Sequence, residues 1–264
     1  MNEFKDKNYW ALILGGSSGL GLATAKKLAK HGMNICIVHR NSRIQEDAIL
    51  KEFKSINQED IKFKAFNSDA FKLEKRREII QELHSLLGDS QKIKAMVHSV
   101  ARGNLKPMVS EGSAELNQDD FALTIQAMGI SLYDWTKAIF EAKLFSEDAR
   151  ILSFTSEGNS KAWQNYAAVS AAKVTLEAIT RNIALEFAKY GIKANCIQAG
   201  VTDTASLRMI PGSEKIIKYT LKRNPYKRLT TPEDVANAVY LLTKDEASWI
   251  TGTIIPVDGG EHLS

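Results

Sequence analysis

Short apolar runs rich in β-branched residues alternate with longer amphipathic stretches along all 264 residues of the chain. Helical periodicity is found between these runs, for example over 22–32, 72–88 and 174–191. Alternation of this kind predicts one α/β domain, with a doubly wound, mostly parallel sheet of about seven strands and helices on both faces. The predicted strands are 10–14, 34–38, 61–66, 95–99, 150–154, 193–197 and 253–257.

The segment GGSSGLG, residues 15–21, directly follows the first predicted strand and precedes a helical pattern. Gly15 permits a tight turn, Gly19 lets the backbone approach a pyrophosphate, and Gly21 lets the helix pack closely against the sheet. The helix N-terminus then offers unpaired amides to a phosphate. In this strand–loop–helix context the pattern predicts a dinucleotide site. The loop residues assigned to it are Gly15, Ser17, Ser18, Gly19, Leu20 and Gly21.

The end of the second predicted strand, residues 39–43, reads HRNSR and holds no acidic residue. Proteins that bind NAD usually place a carboxylate there for the ribose hydroxyls. A guanidinium such as that of Arg40 would instead pair with a 2′-phosphate, which favours NADPH. The alternative is that Arg40 and Arg43 are solvated loop charges. Asp69 is expected either to meet the adenine or to cap a helix. The residues predicted around the adenosine are Arg40, Asn41, Ser42, Asp69 and Ala70.

Composition and charge limit the partners. The net charge of +4 is small and dispersed, so it does not indicate nucleic acid, although a local basic patch for an acidic partner stays open. The N-terminus has no signal-peptide apolar core, and no apolar run reaches the ~18 residues of a membrane span. The two cysteines have no metal-ligand spacing. We therefore expect a cytoplasmic protein with no membrane span and no metal site.

The stretch 201–225 follows a predicted strand and breaks the alternation of strands and helices. Ligands of open parallel sheets bind beside the carboxyl ends of the strands. The position of this stretch therefore predicts a mobile lid over a pocket, and the alternative is an ordinary long connection.

Four further features resemble the short-chain dehydrogenase/reductase family, and within it the enoyl-acyl-carrier-protein reductases. They are VHSVA (97–101), the pair Tyr166 and Lys173 seven residues apart, QAGVTDTA (198–205) and NPYKRLTTPEDVANAVYLL (224–242). The resemblance runs from the glycine loop to VDGG (257–260). It implies a Rossmann-type fold, a thioester substrate on acyl-carrier protein or coenzyme A, and a homotetramer. The further cofactor-lining residues it implies are Ser99, Val100, Ala101, Lys173, Gly200, Thr202 and Thr204.

The spacing between Tyr166 and Lys173 has a chemical meaning. Ordinary members of the family space the two residues by four, which is about 6 Å along a helix, whereas seven is about 10.5 Å with nearly the same facing. The longer spacing moves the phenol away from the nicotinamide. That suits an enoyl thioester, because hydride goes to the β-carbon while negative charge collects several bonds away on the thioester oxygen. Val169, four residues before Lys173, has no proton to donate.

The resulting hypothesis is NADPH-dependent reduction of the carbon–carbon double bond of a trans-2-enoyl thioester. Tyr166 would hydrogen-bond the thioester oxygen and Lys173 would hold the nicotinamide ribose. Ser156 would bond the substrate or Tyr166, unless it is a structural strand-end residue. His98 is expected to be a satisfied core histidine. Two alternatives remain: a reductase of the same superfamily acting on a 3-oxoacyl or dienoyl thioester or a ketone, and a non-enzymatic NADPH-binding regulator.

Overall fold

The structure is a computed structural model that describes residues 3–57 and 60–263. Within these residues, seven parallel strands form one sheet in the order β3-β2-β1-β4-β5-β6-β7. The strands are β1 (Tyr9–Leu14), β2 (Asn34–His39), β3 (Phe63–Asn67), β4 (Lys92–His98), β5 (Phe145–Ser156), β6 (Ile192–Ala199) and β7 (Ile254–Val257). This is the doubly wound parallel sheet that the alternation predicts.

Helices connect the strands and cover both faces of the sheet. They are α1 (Gly19–Lys30), α2 (Glu46–Ile56), α3 (Leu73–Leu87), α4 (Gln118–Ile125), α5 (Ser131–Glu141), α6 (Ala167–Glu186), α7 (Ala205–Arg208), α8 (Ser213–Arg223) and α9 (Pro232–Thr243). A π-helical turn, Gln126–Ile130, joins α4 to α5.

Two elements extend beyond the patterns that predicted them. Helix α6 begins at Ala167, ahead of the amphipathic pattern 174–191, because the alanine-rich stretch after Tyr166 has high helix propensity even though its amphipathic period is weak. Strand β5 covers Phe145–Ser156, well beyond the predicted 150–154. Phe145 at its start pairs with Ile93 of β4, and the polar residues Thr155 and Ser156 at its end pair with β6, which apolar patterning does not reveal.

The core has two halves, one on each face of the sheet. Alternate residues of β1 show the division: Leu12 and Leu14 pack with α3, α5 and α6, while Ala11 and Ile13 pack with α1, α2 and α9. Period-two alternation of apolar side chains on both faces is the pattern of a strand buried on both sides.

The strand order reverses between β1 and β4. From β1 the chain winds outward to β2 and β3 and then returns to β4 on the other side. The loops after β1 and β4 therefore diverge and leave a crevice at the carboxyl ends of these strands, where ligands of such sheets bind. No helix in the described part of the chain is long and apolar enough to cross a membrane.

Candidate active site

A cavity of about 630 Å³ opens at the carboxyl edge of the sheet, beside the crevice between β1 and β4. Its volume lies within the range of small-molecule sites. The sequence-predicted residues that line it are Gly15, Ser17, Ser18, Gly19, Leu20, Arg40, Asn41, Asp69, Ala70, Ser99, Val100, Ala101, Ser156, Tyr166, Lys173, Gly200, Thr202 and Thr204.

Two sequence-predicted residues lie near the cavity without lining it. A Cβ atom on Gly21 would stand 2.4 Å from the carbonyl oxygen of Gly15, so Gly21 serves the close packing of α1 against the loop. Ser42 is exposed and forms a capping box with Gln45 at a short 3-10 turn. The cavity wall there includes Gln45, and Arg43 points to solvent on the same turn.

The glycine loop fits a pyrophosphate. Gly15 has φ of +84°, and a Cβ atom there would lie 2.3 Å from the carbonyl oxygen of Ser99, so only glycine keeps the loop this close to β4. Ser18 occupies the N-cap of α1 without a side-chain capping bond among the described residues, and the first turn of α1 carries no acidic residue. The amides and the positive dipole end of α1 therefore face the cavity ready for an anion.

Arg40 and Asp69, which the sequence predicts around the adenosine, belong to an ion cluster in the cavity wall, and a third member of this cluster was not predicted. Arg40 donates from Nη1 to Asp69 Oδ2 at 3.0 Å, and Arg102 Nη1 lies 3.6 Å from the same oxygen. Burial acts to raise the pKa of Asp69, but hydrogen bonds from the Phe71 amide and Arg40 outweigh it and the net pKa is lowered. Arg102, which also lies over the ring of Phe71, is a cavity residue that sequence reasoning missed.

Tyr166 lies at the floor of the cavity and is 8% exposed. It sits one residue before the first turn of α6, at its N-cap, not inside the helix as the spacing argument assumed. Its hydroxyl and the hydroxyl of Ser156 are 3.3 Å apart. Burial raises the pKa of the phenol and the hydrogen bond between Tyr166 and Ser156 partly offsets this, so the phenol keeps its proton at neutral pH.

Lys173 lines the same cavity from the second turn of α6. Its Nζ donates to the carbonyl oxygen of Phe154 at 2.7 Å, and the side chain is otherwise enclosed. Burial lowers the pKa of this ammonium to about 8, with partial compensation from electrostatic interactions with Cys196 and Glu177. Lys173 is thus mostly charged at pH 7 and loses its proton only slightly above it.

His98 ends β4 and is fully enclosed, as expected for a core histidine. Its Nε2 lies 2.7 Å from the hydroxyl of Ser131, the first residue of α5. Burial, followed by the nearby charge of Lys173, lowers the pKa of His98 to about 3. The neutral ring therefore joins β4 to the start of α5, just after the π-helical turn.

We expect His98 to make the protein acid-sensitive. Between pH 6.5 and about 3 the unfolded state binds a proton that the folded state does not, so the free energy of unfolding falls as the pH falls, by up to about 1.4 kcal/mol per pH unit for this group. Urea unfolding at pH 7 and pH 5 measures the loss. His98→Gln should lose less stability over this interval than the wild type. Equal losses in the two proteins would contradict the assignment.

The stretch 201–225 forms α7 and α8 after β6. Helix α7 contributes lining residues, among them Leu207, and Met209 and Ile210 follow it along the wall. Met209 is 73% exposed, which is unusual for a large apolar side chain beside a cavity. Gly212, with φ of +79°, separates α7 from α8 and has open space around it. The predicted lid thus corresponds to α7 and α8, and its motion stays a prediction.

The fold and the cavity define a dinucleotide-binding α/β protein with a buried tyrosine and lysine in its crevice. A family model described as "Enoyl-(Acyl carrier protein) reductase" matches residues 15–262. The chain belongs to this family, within the short-chain dehydrogenase/reductase superfamily, and is an oxidoreductase that uses a nicotinamide cofactor.

The alignments with curated relatives cover almost the whole chain. An enoyl-acyl-carrier-protein reductase (NADPH) of Staphylococcus aureus is 28% identical over 99% of both chains. An enoyl-acyl-carrier-protein reductase (NADH) of Rhizobium meliloti is 30% identical over 95% of this chain and 89% of its own. A 7α-hydroxysteroid dehydrogenase of Paraclostridium sordellii is 28% identical over 100% and 94%. The fold also matches the crystal structure of an enoyl-acyl-carrier-protein reductase (NADH) of Aquifex aeolicus, with a TM-score of 0.84, 23% identity and 97% coverage of both chains.

Proposed function

We propose that the protein reduces the carbon–carbon double bond of trans-2-enoyl thioesters with NADPH, as a step of fatty-acid biosynthesis. The observation that carries the proposal is the position of the phenol. Tyr166 lies beside Ser156 in the cavity wall, while Val169, at the place where a ketone reductase of this family would carry its acid, is an apolar wall residue. A phenol set back from that place suits a substrate whose negative charge develops on a thioester oxygen, several bonds from the carbon that accepts the hydride.

The chain's own residues would act as follows. The bound cofactor would supply the hydride that is added to the β-carbon, and the α-carbon would take a proton that derives from solvent. Tyr166 donates a hydrogen bond to the thioester oxygen, where negative charge develops, and Ser156 orients the phenol from 3.3 Å. Lys173 holds the nicotinamide ribose through its ammonium. The enclosed position of Tyr166 and Lys173 keeps water away and strengthens both interactions.

A panel of thioesters tests the proposal. Loss of NADPH absorbance with crotonyl thioester, on coenzyme A and on acyl-carrier protein, is the expected result. Turnover with acetoacetyl thioester or a ketone, but not with crotonyl thioester, would assign the protein to carbonyl reduction, the class of the named steroid dehydrogenase relative. Tight NADPH binding with no turnover of any substrate would indicate a regulator and contradict the proposal.

The preference for NADPH rests on Arg40. Its guanidinium is 56% exposed and now pairs with Asp69, so it is free to exchange that carboxylate for a 2′-phosphate. We expect Arg40→Ala to weaken NADPH binding about 10- to 100-fold, the equivalent of a lost hydrogen bond to a charged group, and to leave NADH binding nearly unchanged. Cofactor fluorescence titrations measure both dissociation constants.

Arg43→Ala is the matched control for this prediction. Arg43 lies three residues further on, is exposed on the 3-10 turn and does not line the cavity. The Arg43→Ala substitution should leave the dissociation constants of NADPH and NADH unchanged. A fall of NADPH and NADH affinity by the same factor in Arg40→Ala would remove Arg40 from the phosphate site.

The proposal includes a cytoplasmic homotetramer that acts on a thioester carried by acyl-carrier protein or coenzyme A. The homotetramer follows from the resemblance to the family, and three helices carry exposed apolar side chains that an interface between subunits would cover. They are Leu123 of α4, Tyr133 of α5 and Val174 of α6. Light scattering after size-exclusion chromatography should give four times the chain mass of 29.3 kDa.

A further inference from the structure

A buried ion cluster connects α8 to the end of β5. Arg223, the last residue of α8, is bound at both Nη atoms by the carboxylate of Glu157, with 3.2 Å between Nη1 and Oε1. Its Nη2 also donates to Glu261 Oε1 at 2.7 Å. The three side chains are only 8%, 12% and 3% exposed. Charges so enclosed are stable only while they are paired, so the cluster holds its members in one arrangement.

Glu261 extends the cluster to the cofactor side of the cavity. Its Oε2 accepts from the amide of Val201 at 3.2 Å, directly after Gly200 in the cavity wall. Thr220 of α8 donates to its Oε1 at 3.3 Å. Glu261 begins the C-terminal 3-10 turn, Glu261–Leu263, and this turn therefore connects α8 to the end of β6.

Glu157 connects the cluster to the part of the cavity that holds Ser156 and Tyr166. It follows Ser156 directly and begins the turn 157–159. A Cβ atom on Gly158 would lie 2.5 Å from Cε1 of the Tyr166 ring, so the turn packs against that ring without free space. Asn159 closes the turn by donating to Glu177 of α6. The turn is held at one end by α8 and at the other by α6, with the phenol ring against its middle.

Removal of the guanidinium would disturb this arrangement in a defined way. Burial acts to raise the pKa of Glu157, and the hydrogen bonds from Arg223 and Lys161 outweigh it and lower the net pKa. Without Arg223, the carboxylates of Glu157 and Glu261 would face each other across a buried space and repel. The turn 157–159 would then lose its connection to α8 and keep only its contacts with α6, Lys161 and the Tyr166 ring.

We propose that Arg223 is a positioning residue for Tyr166: it holds the turn 157–159 against the phenol ring and keeps the hydroxyl beside Ser156. This inference rests on the proposed function, since it takes Tyr166 as the group on which turnover depends. It makes the end of α8, a helix outside the cavity wall, a determinant of catalysis, because Arg223 connects that helix to the turn that packs against Tyr166.

A double-mutant cycle between Arg223 and Tyr166 tests the inference. Arg223→Gln should lower kcat about 10- to 100-fold, as displacement of a catalytic group does, with little change in NADPH affinity. In a Tyr166→Phe background the same substitution should change kcat by less than about twofold, because the donor it positions is already gone. Arg228→Gln, which removes an exposed arginine paired with Asp234, is the control and should change nothing in either background.

Equal losses in both backgrounds, or no loss in the wild-type background, would overturn the inference alone. Full activity of Tyr166→Phe would contradict the proposed function and this inference with it. Should Arg223→Gln fail to fold, Arg223→Lys keeps the charge but cannot bind Glu157 through two nitrogens. The double-mutant cycle is then measured with Arg223→Lys in place of Arg223→Gln. Thermal unfolding shows whether each variant folds, and cofactor fluorescence shows whether it binds NADPH.

Discussion

Tyr166→Phe should lower kcat for an enoyl thioester about 100- to 1,000-fold, the usual cost of removing one hydrogen-bond donor from a developing oxyanion. The substitution removes only the hydroxyl, whose partner in the structure is Ser156 at 3.3 Å. The ring still fills the space beside Gly158, so the fold and the cofactor site should persist. Steady-state kinetics with crotonyl thioester, combined with a fluorescence titration of NADPH, measure the two effects separately.

Ser156→Ala is the informative companion of this variant. It removes the phenol's partner and leaves the donor, so its loss of kcat should be smaller than that of Tyr166→Phe. The melting temperatures of both variants should stay close to that of the wild type. Retention of full activity by Tyr166→Phe would show that the phenol does not bond the substrate oxygen.

Lys173→Met should weaken both NADPH binding and turnover, in contrast to Tyr166→Phe. A hydrogen bond from a charged group contributes about 1.5 to 3 kcal/mol, so the dissociation constant of NADPH should rise about 10- to 100-fold. Methionine fills similar space without a charge, which limits the effect on folding. Lys137→Met, on the exposed face of α5 and paired with Glu141, is the control and should bind NADPH normally.

The pH dependence of cofactor binding adds a second test of Lys173. Its pKa of about 8 in the folded protein means that the ammonium is lost as the pH rises from 7 to 9. NADPH affinity of the wild type should therefore fall over this interval, because only the charged form donates fully to the ribose oxygens. Lys173→Met should show a flat profile between the same pH values. Parallel profiles for the two proteins would contradict the assignment.

Local patterns predicted the sheet and the glycine loop because their signals lie within single segments. The loop 15–21 follows a strand and opens a helix, and this order of elements is visible in the sequence. Tyr166 and Lys173 were predicted from their spacing and from the resemblance to the family, and their roles stay a prediction. Arg102 was missed because its closeness to Asp69 arises only when β3 and β4 end at the same edge of the sheet.

The ion cluster of Arg223 could not be predicted from patterns at all. Its partners Glu157 and Glu261 lie 66 and 38 residues away in the chain, and each residue alone reads as a surface charge. Their burial depends on how α8 and the C-terminal turn meet the end of β5. The π-helical turn before Ser131 was missed as well, because no residue type marks a single wide turn inside a helix.

The site to which hydride is delivered tests the central claim most directly. NADPH that carries deuterium at both C4 positions of the nicotinamide, so that transfer from either face delivers the label, is incubated with crotonyl thioester, and the product is examined by mass spectrometry and NMR. The account predicts a saturated butyryl thioester with deuterium on the β-carbon and a solvent-derived hydrogen on the α-carbon. A product without deuterium on the β-carbon, together with deuterium on the carbinol carbon when a 3-oxoacyl thioester is supplied, would contradict it.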